Sequence, residues 1–202
     1  MQHANVKIGI LIGGLSRRMG RPKALIEIDG RTILERTVGV ARQAGHPVIL
    51  LGQPTFELPA TLSHVPVLPD LAGGFGPIAG LESILEASPN TPVLLLACDM
   101  PRLEASLLER LLHESAHEAD AVAFSIEGTG GRLEPCCALY MPTALSEVRR
   151  GIQNKDYSLH SLFARIRTRQ VHISLALGEL LVNCNVPEDL PDGKTEAQRD
   201  EA

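Results

Sequence analysis

The sequence predicts an α/β fold: a single doubly wound, mostly parallel sheet with helices on both faces. Three observations predict it. Short runs rich in Ile, Leu and Val recur through Phe124, stretches of helical periodicity separate them, and the first run ends directly in a glycine pair. The first strand is expected over residues 8–12, before Gly13-Gly14. A helix over 32–44 follows, with Ile33, Val40 and Ala44 on one side and Gly45 as its stop signal. Strands at 48–51 and 65–68, a helix at 78–87, a strand at 93–98, a helix at 105–115 and a strand at 121–124 continue the alternation. Beyond this the pattern loosens. A strand at 136–140, a helix at 144–150, a short helix at 159–165 and a strand at 170–173 suggest an antiparallel excursion from the parallel sheet in the C-terminal half.

A chain of 202 residues, 44% of them hydrophobic, can bury one sizeable core, so one domain is expected over 1–191. Residues 192–202 are polar and charged without an apolar face and read as a disordered tail. A formal net charge of -5 argues against nucleic acid as the partner, because a polyphosphate backbone calls for a broad basic surface. Neither a secretory leader nor an apolar run of membrane-spanning length is present, so a soluble, cytoplasmic protein without a membrane partner is expected. Cys98, Cys136, Cys137 and Cys184 lack the spacing of a disulfide framework or a zinc site and read as reduced thiols without a functional role.

In an open α/β sheet, ligands bind outside the carboxyl ends of the strands, and there the first strand delivers the loop Gly13-Gly14-Leu15-Ser16-Arg17-Arg18-Met19-Gly20-Arg21-Pro22-Lys23. Its composition suits a phosphate. Glycines let backbone N–H groups form a nest, and Arg18 and Lys23 supply positive charge. Walker spacing is absent, since Lys23 trails Gly20 by three residues and no Ser or Thr follows, and the glycines do not fit GxGxxG. Asp99 follows the strand at 93–98, and its carboxylate is expected at the same edge, where Mg²⁺ can combine it with phosphate oxygens and water. Asp70, in Pro69-Asp70, precedes a second glycine loop, Gly73-Gly74-Phe75-Gly76-Pro77, with Ala79-Gly80 opening the next helix.

Leu11 to Lys23 resembles the LAGGxSxRMGxxK signature of GT-A-like nucleotidyltransferases, in particular the molybdenum cofactor guanylyltransferases, with Ile12 where the family has Ala. Cys98-Asp99-Met100-Pro101 matches the family's CDxP element, Asp70 with Gly76-Pro77-Ile78-Ala79-Gly80 resembles its D…GPLAG segment, and Asn183-Cys184-Asn185-Val186-Pro187-Glu188-Asp189-Leu190 resembles NxNTPEDL. Glu134-Pro135 followed by Ala138-Leu139-Tyr140 resembles its P…ALY strand. The resemblance spans residues 7–190. It implies transfer of GMP from GTP to the phosphate of molybdopterin or Mo-molybdopterin, with release of pyrophosphate. It assigns the nucleotide to Leu11, Ile12, Gly13, Gly14, Lys23, Asp70, Gly76, Pro77 and Gly80, the metal to Asp99, and catalysis to Arg18, Lys23 and Asp99. Asn183 and Asn185 are expected to bind a phosphate or pterin edge, or else to cap a terminal helix. Molybdenum-insertion proteins and recipient molybdoenzymes are the implied partners. A relative using CTP or another phosphorylated acceptor, or a non-catalytic nucleotide-binding regulator, remains open.

Two further signals carry less weight. His113-Glu114-Ser115-Ala116-His117 matches HExxH but has no third ligand at metzincin spacing, and it reads as a solvated helix end. Arg149-Arg150 with Lys155, and Arg165, Arg167 and Arg169, read as solvated helix faces or as a patch for an anionic acceptor.

Overall fold

A computed structural model of the chain describes residues 5–13, 22–71, 75–114, 116 and 118–184. Gly14, Arg18, Asn185 and the tail at 192–202 lie outside them. Seven strands form the main sheet: β1 (Lys7–Leu11), β4 (Val48–Leu51), β5 (Val67–Leu68), β6 (Val93–Ala97), β7 (Ala121–Ile126), β8 (Leu133–Tyr140) and β9 (Thr168–Ile173). Their order is β5-β4-β1-β6-β8-β7-β9. β1 is an interior strand and pairs parallel with β4 and β6, while β8 runs antiparallel to both β6 and β7 and supplies the expected excursion. The remaining pairs, β4 with β5 and β7 with β9, are parallel.

Helices cover both faces because successive strand residues point to opposite sides. On one face α1 (Ile33–Gln43) and α3 (Ala105–His113) pack Leu34, Val38, Leu107 and Leu111 against Ile8, Ile10, Leu94 and Leu96. On the other, α2 (Pro77–Glu86), α4 (Leu145–Gln153) and α5 (Leu159–Phe163) pack Ile78, Leu81, Val148 and Leu162 against Leu51, Leu95 and Tyr140. The buried side of α1 differs from expectation. Ile33, Leu34, Thr37, Val38 and Ala41 are buried, whereas Val40 and Ala44 are only half-buried, so the packed stripe is rotated along the helix. The capping box between Thr32 and Glu35 sets the start of α1: the Glu35 N–H donates to Thr32 Oγ1 at 3.1 Å and the Thr32 N–H to Glu35 Oε2 at 2.8 Å.

Ahead of α1 lies a hairpin, β2 (Glu27–Ile28) and β3 (Arg31–Thr32), turning on Asp29 and Gly30 with φ of 48° and 72°. Two positive φ values in a two-residue loop make a type I′ turn. Several other elements differ in length from expectation, among them β5, β7 and β8. β5 starts at Val67 because Val65 turns back to bond Leu62 and Pro66 has no N–H to offer a neighbour. β7 and β8 are longer, reaching Ile126 and starting at Leu133, because β7 stays paired with β9 to Ile126 and Ser125 pairs with Leu133 of β8.

Asp120 closes the seam between β7 and β9. Its Oδ2 accepts from the Arg167 backbone N–H and Nε, both at 3.1 Å, and its Oδ1 from Thr143 Oγ1 at 2.7 Å. The Arg167 hydrogen bond holds the Asp120 carboxyl down to about 2 against the opposing cost of burial. The folded state therefore binds this proton less readily than the unfolded chain, so the stabilisation is complete above about pH 4 and is lost as pH falls toward about 2. In urea titrations Asp120→Asn is expected to be less stable than the unsubstituted protein by roughly 1–2 kcal/mol near neutral pH, allowing for the exposed guanidinium, with the gap closing below about pH 3.

Candidate active site

The carboxyl ends of β1 and β6 open onto a cleft of about 250 Å³. Its walls include Leu11, Ile12 and Gly13 from the end of β1, Pro22 and Lys23 from the returning loop, and Cys98 and Asp99 after β6. Pro77 from the start of α2, Asn183 from the C-terminal segment and, unforeseen from sequence, Phe56 and Cys136 also line it.

Lys23 begins a single 3₁₀ turn, Lys23–Leu25, anchored by buried Ala24. Its Nζ lies 3.3 Å from Asp99 Oδ2, each side chain about one-fifth exposed at 20% and 21%. Asp99 is positioned from two sides. Thr37 Oγ1 on α1 donates to the Cys98 carbonyl at 3.4 Å, and the Cys184 N–H donates to the Asp99 carbonyl at 2.7 Å. This second bond, with Cys184 packed among Ile26, Ile28 and Ile33, brings Asn183 to the cleft. The hairpin thus serves as the floor on which the asparagine segment rests.

Asp70 stands on the same edge, with its Oδ1 3.9 Å from where a side chain on Gly52 would begin and the Gly13 backbone nitrogen 3.5 Å from that point. Gly52, with φ of 105°, was not singled out from sequence, and it allows this close approach of β4's end to the glycine loop. Burial pushes the Asp70 carboxyl up. Ser83 on α2 accepts from the Leu71 N–H at 2.9 Å and so ties the Asp70 segment to that helix.

α2 reaches the cleft because Gly80 lets it approach closely: a Cβ there would lie 2.7 Å from Leu11 Cδ2 and 3.3 Å from Leu51 Cβ. Gly76, at φ 70° and ψ -153°, occupies a region open essentially to glycine and turns the chain into Pro77, the first residue of the helix. Phe75 stacks on Tyr157 from the α4–α5 connection, with centroids 4.6 Å apart and planes 11° from parallel. No short-range pattern announces this contact, which joins the start of α2 to the α4–α5 connection on the same face of the sheet.

Two cysteines at the cleft are neutral thiols. Burial, reinforced by the charge of Asp99, pushes Cys98 up to about 12, and burial with the charges of Glu134 and Asp99 does the same for Cys136. Glu134 is itself raised: burial outweighs the Cys136 N–H it accepts at 3.1 Å and the charge of Arg132, and the Asp99 charge raises it further.

The other basic and histidine signals resolve elsewhere. Arg149 pairs with Glu82 and Glu86, Arg150 with Glu147, Arg165 with Asp156 and Glu147, Arg167 with Asp120, and Arg169 with Glu114, so these side chains are engaged with carboxylates. His113 Nδ1 lies 2.7 Å from the carbonyl of Glu109 on its own helix, and His117 lies outside the described residues. No helix among the described residues is long and apolar enough to cross a membrane.

Gly13, Lys23 and Asp99 meeting at the carboxyl edge of a mostly parallel sheet is the arrangement of α/β proteins that bind ligands at strand ends. The MobA-like NTP transferase domain matches residues 8–171, and the chain belongs to that family. It is a nucleotidyltransferase. A molybdenum cofactor guanylyltransferase of Xanthomonas euvesicatoria is 35% identical over 185 residues, covering 89% of each chain. A probable molybdenum cofactor guanylyltransferase of Opitutus terrae is 32% identical over 189 residues, covering 89% of this chain and 90% of that one. The crystal structure of molybdopterin-guanine dinucleotide biosynthesis protein A from Archaeoglobus fulgidus shares the fold, with a TM-score of 0.72, 22% identity, and coverage of 97% of this chain and 100% of that one.

Proposed function

We propose that this protein transfers GMP from GTP to the phosphate of molybdopterin or Mo-molybdopterin, forming molybdopterin guanine dinucleotide and pyrophosphate, with Mg²⁺ as its cation. The observation that carries the reading is the Lys23–Asp99 pair, 3.3 Å apart at the edge where β1 delivers Gly13. The lysine ammonium stands against the carboxylate where a cation belongs. The donor set, a carboxylate with the Asn183 amide close by, is made of hard oxygens and fits Mg²⁺, which fills its other positions from phosphates and water. Bound there, Mg²⁺ neutralises phosphate charge and polarises the α-phosphate.

The chain's own groups do the rest. Gly13 and Gly14 offer backbone N–H groups to the triphosphate, Arg18 and Lys23 stabilise charge on the α-phosphate and the departing pyrophosphate, and Asp70 with Gly76, Pro77 and Gly80 holds guanosine. An oxygen of the molybdopterin phosphate forms the new P–O bond at the α-phosphorus as the α–β bridge bond breaks, and the electron pair leaves with pyrophosphate. The nucleophile is already anionic, so no general base is required and catalysis consists of alignment and charge neutralisation. The protein works in the cytoplasm between molybdenum-insertion proteins and recipient molybdoenzymes. Pyrophosphate release in the presence of Mg²⁺ and a molybdopterin acceptor tests the reading when GTP, CTP, ATP and UTP are offered in turn. Release with GTP alone is expected; preference for CTP would move the chain to a cytidylyl branch, and silence with all four would remove the transfer reaction.

A further inference from the structure

The strand that makes the antiparallel excursion carries a second carboxylate to the edge that holds Asp99. β6 and β8 pair with Val93 opposite Tyr140 and Leu96 opposite Cys137. That register ends at Leu96–Cys137; beyond it Cys98 and Asp99 form a turn, while β8 runs on through Cys136, which lines the cleft with Asp99, to Glu134. On its other side β8 breaks register: between the pairs Ala123–Ala138 and Ser125–Leu133, β7 advances two residues and β8 advances five. A bulge of this kind re-aims the side chains it carries. It is pinned in place, since the fully buried Tyr140 donates its hydroxyl to the Pro135 carbonyl at 2.9 Å and stacks on Phe163 with centroids 5.9 Å apart.

Glu134 is half-buried, its Oε1 accepts the Cys136 N–H, and Cys136 in turn lines the cleft. The charges of Asp99 and Glu134 are both felt at Cys136, and that of Asp99 is felt at Glu134 itself. Two carboxylates sharing a partly dry edge repel each other until a cation lies between them. The Lys23 ammonium offsets part of that charge through Asp99.

We propose that Glu134 is a second carboxylate of the divalent-cation site, binding the metal together with Asp99 so that the bulge in β8 completes a site that β6 begins. The inference rests on the nucleotidyl-transfer reading above. Mg²⁺ accepts one or two carboxylates beside substrate phosphates, and the pair supplies two. Glu134→Gln keeps the shape and the acceptor for the Cys136 N–H while removing the charge.

The test uses Mn²⁺ as the probe, with free Mn²⁺ measured by electron paramagnetic resonance in titrations of the full chain, Glu134→Gln and Asp99→Asn, with and without GTP. Glu134→Gln is expected to weaken Mn²⁺ binding about tenfold or more, while metal-free GTP binding is not weakened. If Glu134→Gln proves unstable by urea titration, Glu134→Asp replaces it, and its retracted carboxylate is again expected to weaken Mn²⁺ binding. Unchanged Mn²⁺ affinity in the Glu134 variant beside a loss in Asp99→Asn overturns this inference and leaves the transfer reading standing. Unchanged affinity in both variants overturns the two together.

Discussion

Asp99→Asn is expected to lower turnover about a thousandfold or more with little change in the midpoint of unfolding, because in the proposed mechanism its carboxylate holds a phosphate-bound cation where charge develops. A thousandfold loss corresponds to about 4 kcal/mol of transition-state stabilisation. The fold has small dependence on this side chain. Its partner Lys23 is about one-fifth exposed, so the ion pair contributes at most about 1 kcal/mol, and the bond that orders the asparagine segment uses the Asp99 backbone carbonyl, which the variant keeps. Steady-state kinetics at saturating Mg²⁺ and a urea titration separate the two effects. Retained metal-dependent turnover would take Asp99 out of the mechanism.

The second large effect is expected at Lys23→Met, which should reduce kcat/KM for GTP by roughly 10²–10³. The methionine preserves most of the apolar stem beside Ala24 and removes the ammonium that we propose meets the triphosphate. Lys23→Arg is expected to recover little, since a planar guanidinium on a longer stem cannot take the place of a compact ammonium 3.3 Å from Asp99. Metal-free binding of GTP to Lys23→Met should weaken as well, which distinguishes a phosphate-binding lysine from one that only neutralises Asp99. Wild-type GTP binding in that variant would limit Lys23 to the second role.

Much of this architecture was legible in the sequence because each motif sits at a strand end, where strand periodicity stops and a glycine or carboxylate begins. Gly13, Asp70 and Asp99 stand just past the strands β1, β5 and β6, whereas Lys23 and Asn183 reach the same edge by the returning loop and by the segment after the 3₁₀ turn Glu179–Leu181. The missed features depend on other information. Asp29-Gly30 is a hairpin signal that the strong helix following it overshadowed, and its role as a floor for Cys184 depends on a contact across most of the chain. Gly52 reads as an ordinary turn residue until β1 and β4 are placed side by side. The bulge that brings Glu134 toward Asp99 cannot be read locally, because it exists only as a mismatch between the β7 and β8 registers. Leu34 and Val38 stand at helical spacing just as Val40 and Ala44 do, so periodicity alone leaves the buried side of α1 open until it packs on the sheet.

An edge built from Gly13, Lys23 and Asp99 is proposed to move a guanylyl group to a phosphorylated pterin. GTP labelled with ³²P at the α-phosphate, incubated with the protein, Mg²⁺ and molybdopterin, tests it most directly. Transfer of the label into a pterin dinucleotide, absent with Asp99→Asn, is predicted; recovery of all label as unreacted GTP with a fully folded protein and a competent acceptor would contradict the account.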